Sequence, residues 1–454
     1  MLDKREVRKI VDRALESTQA DALEILFFGL DEALTRFANN EIHQNVAETN
    51  KALIVRAAFG KQVGSISTND LSADGVSQAV EQAEALAKLQ PENPDFPGFA
   101  DPMPLPGDVT AFDEATAGAS PAMRADAVGD VIRYAQDRDV DAYGAFRTAR
   151  YTWAVANTKG LYAYQPLTMA DLIVVAMTPT SSGYAEDASW QVADIDVSAR
   201  GREAVDKAVR AQDPHPFEAG VYPVVLEPYA TLDILGFLGR GAGAMSYHEN
   251  RSWMSGRRGE TLMDPVITVK DAPLDPALWP MAFDFEGMPR QPVTVVDEGA
   301  VGDVVYDRLW AAKADTSSTG HALPAFSPFS PSRAVGGYGP MPMHLRMQAG
   351  STSLSSMVED IDRGLYVTRF NYTRVVHPRE VVITGLTRDG TFLIEDGEIK
   401  GPVRNLRFTQ SYVDALSEVV AVGDTLNASR GYFGMSSAPA LSLGHFRFTG
   451  TTDF

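Results

Sequence analysis

Val7, Ile10, Val11, Ala14 and Leu15 recur at i, i+3, i+4, i+7 spacing near the start of the chain. One apolar stripe of that period predicts an amphipathic first helix. The pattern then changes to short strand-like runs at Ala22–Phe28, Ala33–Ala38, Ile42–Val46 and Ala52–Phe59, with Asn39-Asn40 as the turn between the middle pair. Gly60-Lys61-Gln62 makes a second turn into Val63–Ser67, and Ser72 is placed to cap a helix that runs to Leu89. These elements predict a small α/β layer.

Six prolines, at 91, 94, 97, 102, 104 and 106, then crowd one stretch. Such density sustains neither a helix nor a central strand, so an extended connector is expected. Ser120-Pro121 opens a further helix over Met123–Asp137, a strand meander is predicted from Ala142 to Met177, and a helix near Ala199–Ala211 closes the half. The corner Pro214-His215-Pro216 marks the expected boundary. Beyond Gly220, helical periodicity is confined to Ala230–Leu238, whereas strand-like runs recur, for example at Ala282–Phe285, Val293–Val296, Val381–Leu386 and His445–Thr449. Glycine and proline punctuate them, as in a curled sheet. The fold class expected is α+β. Its parts are an N-terminal α/β subdomain (1–90), a proline-rich connector (91–112), a middle α/β subdomain (113–213), and a β-rich, barrel- or sandwich-like domain (214–454).

Composition narrows the function classes. The chain has 454 residues, with 44% hydrophobic and 22% charged residues, enough to bury more than one core. A net charge of −20 argues against a broad nucleic-acid footprint. The absence of cysteine rules out disulfides and thiolate metal sites. No apolar run approaches a membrane span, and no apolar core follows the charges of Met1-Leu2-Asp3-Lys4-Arg5-Glu6, so no signal peptide and a cytoplasmic location are expected.

The candidate chemistry centres on Ile234-Leu235-Gly236-Phe237-Leu238-Gly239-Arg240-Gly241, which follows the apolar strand-like run Val221–Pro228 and precedes Ser255-Gly256-Arg257. Further short elements are Arg36-Phe37-Ala38-Asn39-Asn40-Glu41-Ile42-His43-Gln44, Asn157-Thr158-Lys159-Gly160-Leu161, Phe283-Asp284-Phe285-Glu286-Gly287-Met288-Pro289, Gly364-Leu365-Tyr366-Val367 and Ile394-Glu395-Asp396-Gly397-Glu398-Ile399 with Pro402-Val403 and Asn405. In order and spread this set resembles the TldD/TldE (PmbA) family of peptidase-like proteins. In the catalytic TldD branch the helix carries His-Glu-x-x-x-His, then Gly, then thirteen residues, then Ser-Gly-Arg. The same spacing separates Gly241 from Ser255, so the resemblance places the first His on Leu235, the Glu on Gly236 and the second His on Arg240.

Those three residues cannot do a zinc enzyme's work. Catalytic zinc needs imidazole, thiolate or carboxylate ligands and a base for the bound water. Leu235 and Gly236 offer no lone pair, and the Arg240 guanidinium is a permanent cation without an acceptor. The resemblance also implies a further Cys ligand near the C-terminus, which this chain lacks. No catalytic and no metal-binding residue is therefore assigned. Arg240 is singled out as a candidate contact for a peptide or a partner, with a structural arginine bonded to nearby carbonyls as the alternative.

Other signals are weaker. His248-Glu249 lacks a second His one turn on, and His43, His215, His321, His344, His377 and His445 lie far apart. Gly239-Arg240-Gly241-Ala242-Gly243-Ala244 imitates a nucleotide loop but follows a helix-like run instead of opening one. Asp284 and Glu286 flank Phe285 and are expected to face solvent or to bond loop amides. Trp253, Trp279 and Trp310 are expected in the core, with an interface role as the alternative. The resemblance implies a non-catalytic subunit beside a zinc-bearing TldD-like chain, in a heterodimer that cleaves extended or unfolded peptides and peptide precursors. A homodimeric peptide-binding or scaffold protein, and a self-sufficient hydrolase with an unrecognised site, are the other readings.

Overall fold

A computed structural model of the chain describes residues 2–107, 109–327, 330–431 and 433–452, with residues 330–333 given by backbone alone. Met1, position 108 of the proline-rich connector, and Phe454 at the end of the expected C-terminal domain lie outside the described residues. The chain opens with α1 (Lys4–Ser17), started by a capping box in which the Asp3 side chain accepts from the Glu6 amide and Glu6 reaches back. Next come β1 (Ala22–Ala38), β2 (Glu41–Phe59), β3 (Gln62–Thr68) and α2 (Ala73–Leu89), capped by Ser72 as its sequence predicts. After the connector follow α3 (Glu114–Ala117), α4 (Pro121–Gln136), β4 (Asp141–Asn157), β5 (Tyr162–Met177), β6 (Ser182–Ser189) and α5 (Val197–Arg210).

β1 and β2 each merge two predicted runs. They form one long hairpin about Asn39 and Asn40, both in the left-handed region at φ 50° and 60°. All six strands form a single antiparallel sheet in the order β3-β2-β1-β4-β5-β6. The segments 1–90 and 113–213 thus share one sheet, which the connector crosses in sequence but does not divide in space. Strand period then sorts the side chains. Leu23, Ile25 and Phe27 meet α1 and α2 on one face. Leu26, Phe28 and Leu30 on the other face meet Trp279, Phe283 and Phe285 from the C-terminal half.

The C-terminal half runs β7 (Gly220–Leu226), α6 (Pro228–Gly241), α7 (Ala244–His248), β8 (Val269–Asp271), β9 (Val293–Asp297), β10 (Ala300–Val301), α8 (Arg308–Lys313), β11 (Phe326–Ser327), β12 (Ser330–Ala334) and β13 (Leu345–Met347). It continues through α9 (Leu354–Glu359), β14 (Arg363–His377), β15 (Val382–Glu395), β16 (Glu398–Pro402), β17 (Leu406–Ser411), α10 (Tyr412–Ala415), β18 (Val419–Arg430) and β19 (Met435–Thr451). β7, β14, β15, β17 and β19 pair in a closed ring, since β19 returns to β7. A ring with an odd number of strands needs a parallel pair, and β14 with β7 supplies it. The predicted β-rich, barrel-like half is therefore present. Ile234, Leu235 and Leu238 of α6 are fully buried in one core with Val224, Val367, Phe408 and Phe446 of the ring.

One expected strand is absent. Ala282–Phe285 is a loop with a single bridge from Phe283 to Pro289. Its alternation is real, since Phe283 and Phe285 are both buried, but it lets the loop seal the sheet without joining a ladder.

Candidate functional site

α6 leaves β7 after one residue, with Pro228 in its first turn, where a missing N–H leaves nothing unpaired. Glu227 anchors that turn: its carboxylate takes a 2.5 Å hydrogen bond from Lys207 of α5 and one of 3.2 Å from Thr368 of β14. At the far end of α6, carbonyls that lack helical partners must be satisfied elsewhere. Trp253 Nε1 donates to the Leu238 carbonyl at 3.0 Å and Ser252 Oγ to that of Gly241 at 2.5 Å. Ser255 Oγ holds the Tyr247 carbonyl at 2.7 Å. The segment before Ser255-Gly256-Arg257 thus fixes the helix end, and Trp253 is core, as is Trp279.

Above α6 lies a cleft of about 370 Å³, lined by Gly236, Gly239 and Arg240, by residues between Leu323 and Leu345, and by the approach to β19 from Gly431 to Ser436. Gly236 and Arg240 stand one helical turn apart on the same side of α6. A Cβ added at Gly236 would meet nothing within 4 Å. Leu235 points the other way and is 0% exposed. Of the three positions aligned with the zinc motif, two open on the cleft and one lies in the core.

The Arg240 guanidinium is exposed, with its Cζ 4.4 Å from the centre of the Phe237 ring. Among the described residues no carboxylate or carbonyl takes a hydrogen bond from it, so the alternative of an arginine bonded to nearby carbonyls is not what the geometry shows. Asp233, two turns back, is committed elsewhere, accepting from Thr373 Oγ1 and Tyr412 Oη at 2.8 Å each. Burial pushes the Asp233 carboxyl up, against those hydroxyls and the Arg240 cation. Among the described cleft-lining residues none is His, Asp, Glu or Cys, and no group of three such residues in the described chain is placed to hold a metal. The donor set does not fit zinc.

The structure does assemble titratable groups, but behind the cleft wall. Asp271 of β8, fully buried, takes His321 Nε2–H at 2.7 Å on one oxygen and the His344 backbone N–H at 2.7 Å on the other. Arg290 lies alongside, with Nη1 3.3 Å from His344 Nδ1 and Nη2 3.6 Å from Met343 Sδ. Burial opposes the charge on Asp271, but His321, His344 and Arg290 hold its carboxyl well below the usual range. Burial and the Arg290 cation push His344 down to about 3, and burial also lowers His321. All four side chains are at most 1% exposed. Sequence reasoning missed this network because positions 271, 290, 321 and 344 share no spacing.

A second buried group joins the two halves. Arg56 of β2 lies 2.6 Å from Glu24 of β1 and 3.5 Å from Glu286. Asp284 accepts from the amides of Glu286, Met288 and Ala322 at 2.9 Å, bonding loop amides as expected. Burial pushes Glu24 up to about 7 despite Arg56, and burial with the Glu286 charge does the same to Asp284. His248 is a surface residue, 3.0 Å from Tyr306 Oη and stacked on a half-buried Trp310. Trp310 is thus outside the fully buried core, unlike Trp253 and Trp279.

The family model described as PmbA/TldA metallopeptidase C-terminal domain matches residues 219–450, and that described as PmbA/TldA metallopeptidase domain 1 matches residues 24–87. The chain belongs to the PmbA/TldD metallopeptidase family. A metalloprotease of Methanothermobacter thermautotrophicus is 25% identical over 53% of this chain and 51% of its own length. The chain thus spans about half of that relative. A metalloprotease PmbA homolog of Haemophilus influenzae is 23% identical over 93% of this chain and 92% of its own. The crystal structure of TldE from Thermococcus kodakarensis shares the fold, with a TM-score of 0.87 at 21% identity, covering 98% of this chain and 100% of that one. No helix among the described residues is long and apolar enough to cross a membrane.

Proposed function

We propose that this PmbA/TldD family chain is a non-catalytic subunit that completes the peptide path of a zinc-bearing, TldD-like partner, in a heterodimer acting on extended or unfolded peptides. The observation that carries the reading is the cleft over α6. It opens on the helix that the resemblance sets on the zinc motif, and Gly236 and Arg240 stand at the positions that the resemblance gives to a base and a ligand. The chain's own contribution is shape, exclusion of water and a fixed cation. Zinc belongs to the partner in this reading.

A second feature supports the peptide role. Beyond its pairing with β3, which begins at Leu53, β2 has no partner on its outer side among the described residues. Residues 41–50 are exposed except for a half-buried Val46. An unpaired edge of that length accepts another extended chain through backbone hydrogen bonds.

The test is co-expression with a TldD-like chain of the same organism, followed by digestion of an unfolded peptide with and without a zinc chelator. The reading expects co-purification, turnover by the pair, loss of turnover with chelator, and an inactive isolated chain. Chelator-resistant hydrolysis by the isolated chain would replace it with a self-sufficient hydrolase. A stable homodimer that binds peptides but ignores the TldD-like chain would replace it with a scaffold role.

A further inference from the structure

We infer that the cleft over α6 holds the C-terminal residue of a peptide, its α-carboxylate on Arg240 and its apolar side chain against the cleft wall. This rests on the reading of the cleft as a peptide path and adds which end of the peptide it takes.

The first argument is the state of the guanidinium. Its flat face is spent on the Phe237 ring at 4.4 Å, a contact that leaves the N–H edge free. The nearest acid on the same helix, Asp233, is tied to two hydroxyls and is not within ion-pair distance of Arg240. The edge therefore presents a donor fork without an acceptor among the described residues, the geometry that suits a carboxylate.

The second argument is what surrounds that fork. Arg240 is the one charged residue among the described cleft-lining residues, and its neighbours include Leu323, Val335, Met341, Met343, Leu345 and Phe433. A ligand with two charges, such as a phosphate or a basic terminal residue, would leave one unmatched against an apolar wall. A ligand with none would leave the fork empty. A carboxylate and an apolar side chain on the same carbon occur in a peptide only at its C-terminal residue. Gly236 makes the approach passable: the space its missing side chain leaves lies one turn from the fork, so a ligand backbone can lie close to the helix. The volume of about 370 Å³ suits one or two residues.

Specific recognition of one carboxylate also fits the charge of the whole. A chain at −20 repels anions at long range, so a carboxylate stays only where short-range donors hold it.

The experiment uses the full chain and three dye-labelled pentapeptides, identical except for a C-terminal Leu acid, Leu amide or Lys acid, followed by fluorescence anisotropy. The Leu acid should bind at least about tenfold more tightly than the amide, the scale of charge-assisted hydrogen bonds, and more tightly than the Lys acid. Arg240→Gln should erase the acid-over-amide difference without moving Tm. Gly236→Leu, whose side chain enters open space, should weaken all three. Equal binding of acid and amide overturns the inference but leaves the peptide path standing. Acid preference that survives Arg240→Gln overturns it by placing the site elsewhere. Absence of binding by every peptide, to the chain and to its complex with a TldD-like partner, overturns both.

Discussion

Two regions of the molecule share one wall and divide what an active site normally combines. Met343 lines the cleft on one side and takes the Arg290 guanidinium on the other. Behind it, Asp271, His321 and His344 have the residue types of a hydrolytic site, but they are sealed from solvent. In front, the cleft is open and carries a single cation. Chemistry without access and access without chemistry lie back to back. The lesson is that residue type alone does not locate a site: a His–Asp pair with no path for substrate serves the core, where buried polar groups must satisfy one another.

Removing the centre of the sealed network should have the largest effect. Asp271→Ala leaves two buried donors without their acceptor and the Arg290 cation without the nearby negative charge that most offsets it. It should cost about 3–5 kcal/mol, the range for stripping one partner from a buried charged group, read from urea denaturation. A loss under about 1 kcal/mol would mean that the network is not structural.

Next in size is the attempt to restore the zinc motif. Leu235→His places an imidazole in an apolar core and should cost about 2–4 kcal/mol. The triple change Leu235→His, Gly236→Glu, Arg240→His should gain no stoichiometric zinc by elemental analysis, because position 235 faces away from the cleft. The unaltered chain should carry none after dialysis either. One retained zinc per chain would refute the reading.

The pH response sets the two buried groups against each other. His321 and His344 have folded pKa values below their unfolded ones. Their contribution to stability is present above the unfolded value of about 6.5 and is lost as pH falls below it. Glu24 and Asp284 are raised to about 7. Their contribution is present below their unfolded values and is lost as pH rises through about 7. Between pH 7 and 5 the two sets oppose one another at up to about 1.4 kcal/mol per unit for each proton. Glu24→Gln removes one opposing group, so this variant should lose more stability from pH 7 to 5 than the unaltered chain. Equal losses would put the Glu24 carboxyl in its ordinary range.

The smallest effects belong to the open side. Gly236→Ala should stabilise by about 1 kcal/mol, since it fills no occupied space and favours the helix. Arg240→Ala should shift stability by less than about 0.5 kcal/mol while lowering peptide turnover by the assembled complex. Unchanged turnover would leave Arg240 without a role.

Much of the fold was legible where the signal is local. Ser72 and Ser120 each mark a helix start, and both caps form. Legibility failed where distant partners decide. Asp31 and Glu32 break the apolar run of β1, yet the strand continues through them. Asp31 is held by Thr49 and Arg150 at 2.8 Å, and Glu32 by Arg147 at 3.3 Å, all on neighbouring strands. The cleft was half legible for the same reason. Gly236 and Arg240 lie on one helix and their shared side follows from spacing, whereas the wall opposite comes from residues some hundred and two hundred positions later.

The ring of the C-terminal half also imposes an order in time. Gly220 of β7 lies opposite Phe448 of β19, and Leu226 opposite Leu441. At about 5–20 residues per second, a ribosome needs roughly 10–45 s to deliver the second partner after the first. Throughout that interval the apolar side of α6 is made but cannot be enclosed, because the strand that closes its barrel does not yet exist. Stalled translation before Met435 would therefore leave a sticky helix in an open sheet, and the nascent chain is most exposed to chaperones and proteases just before its last strand emerges.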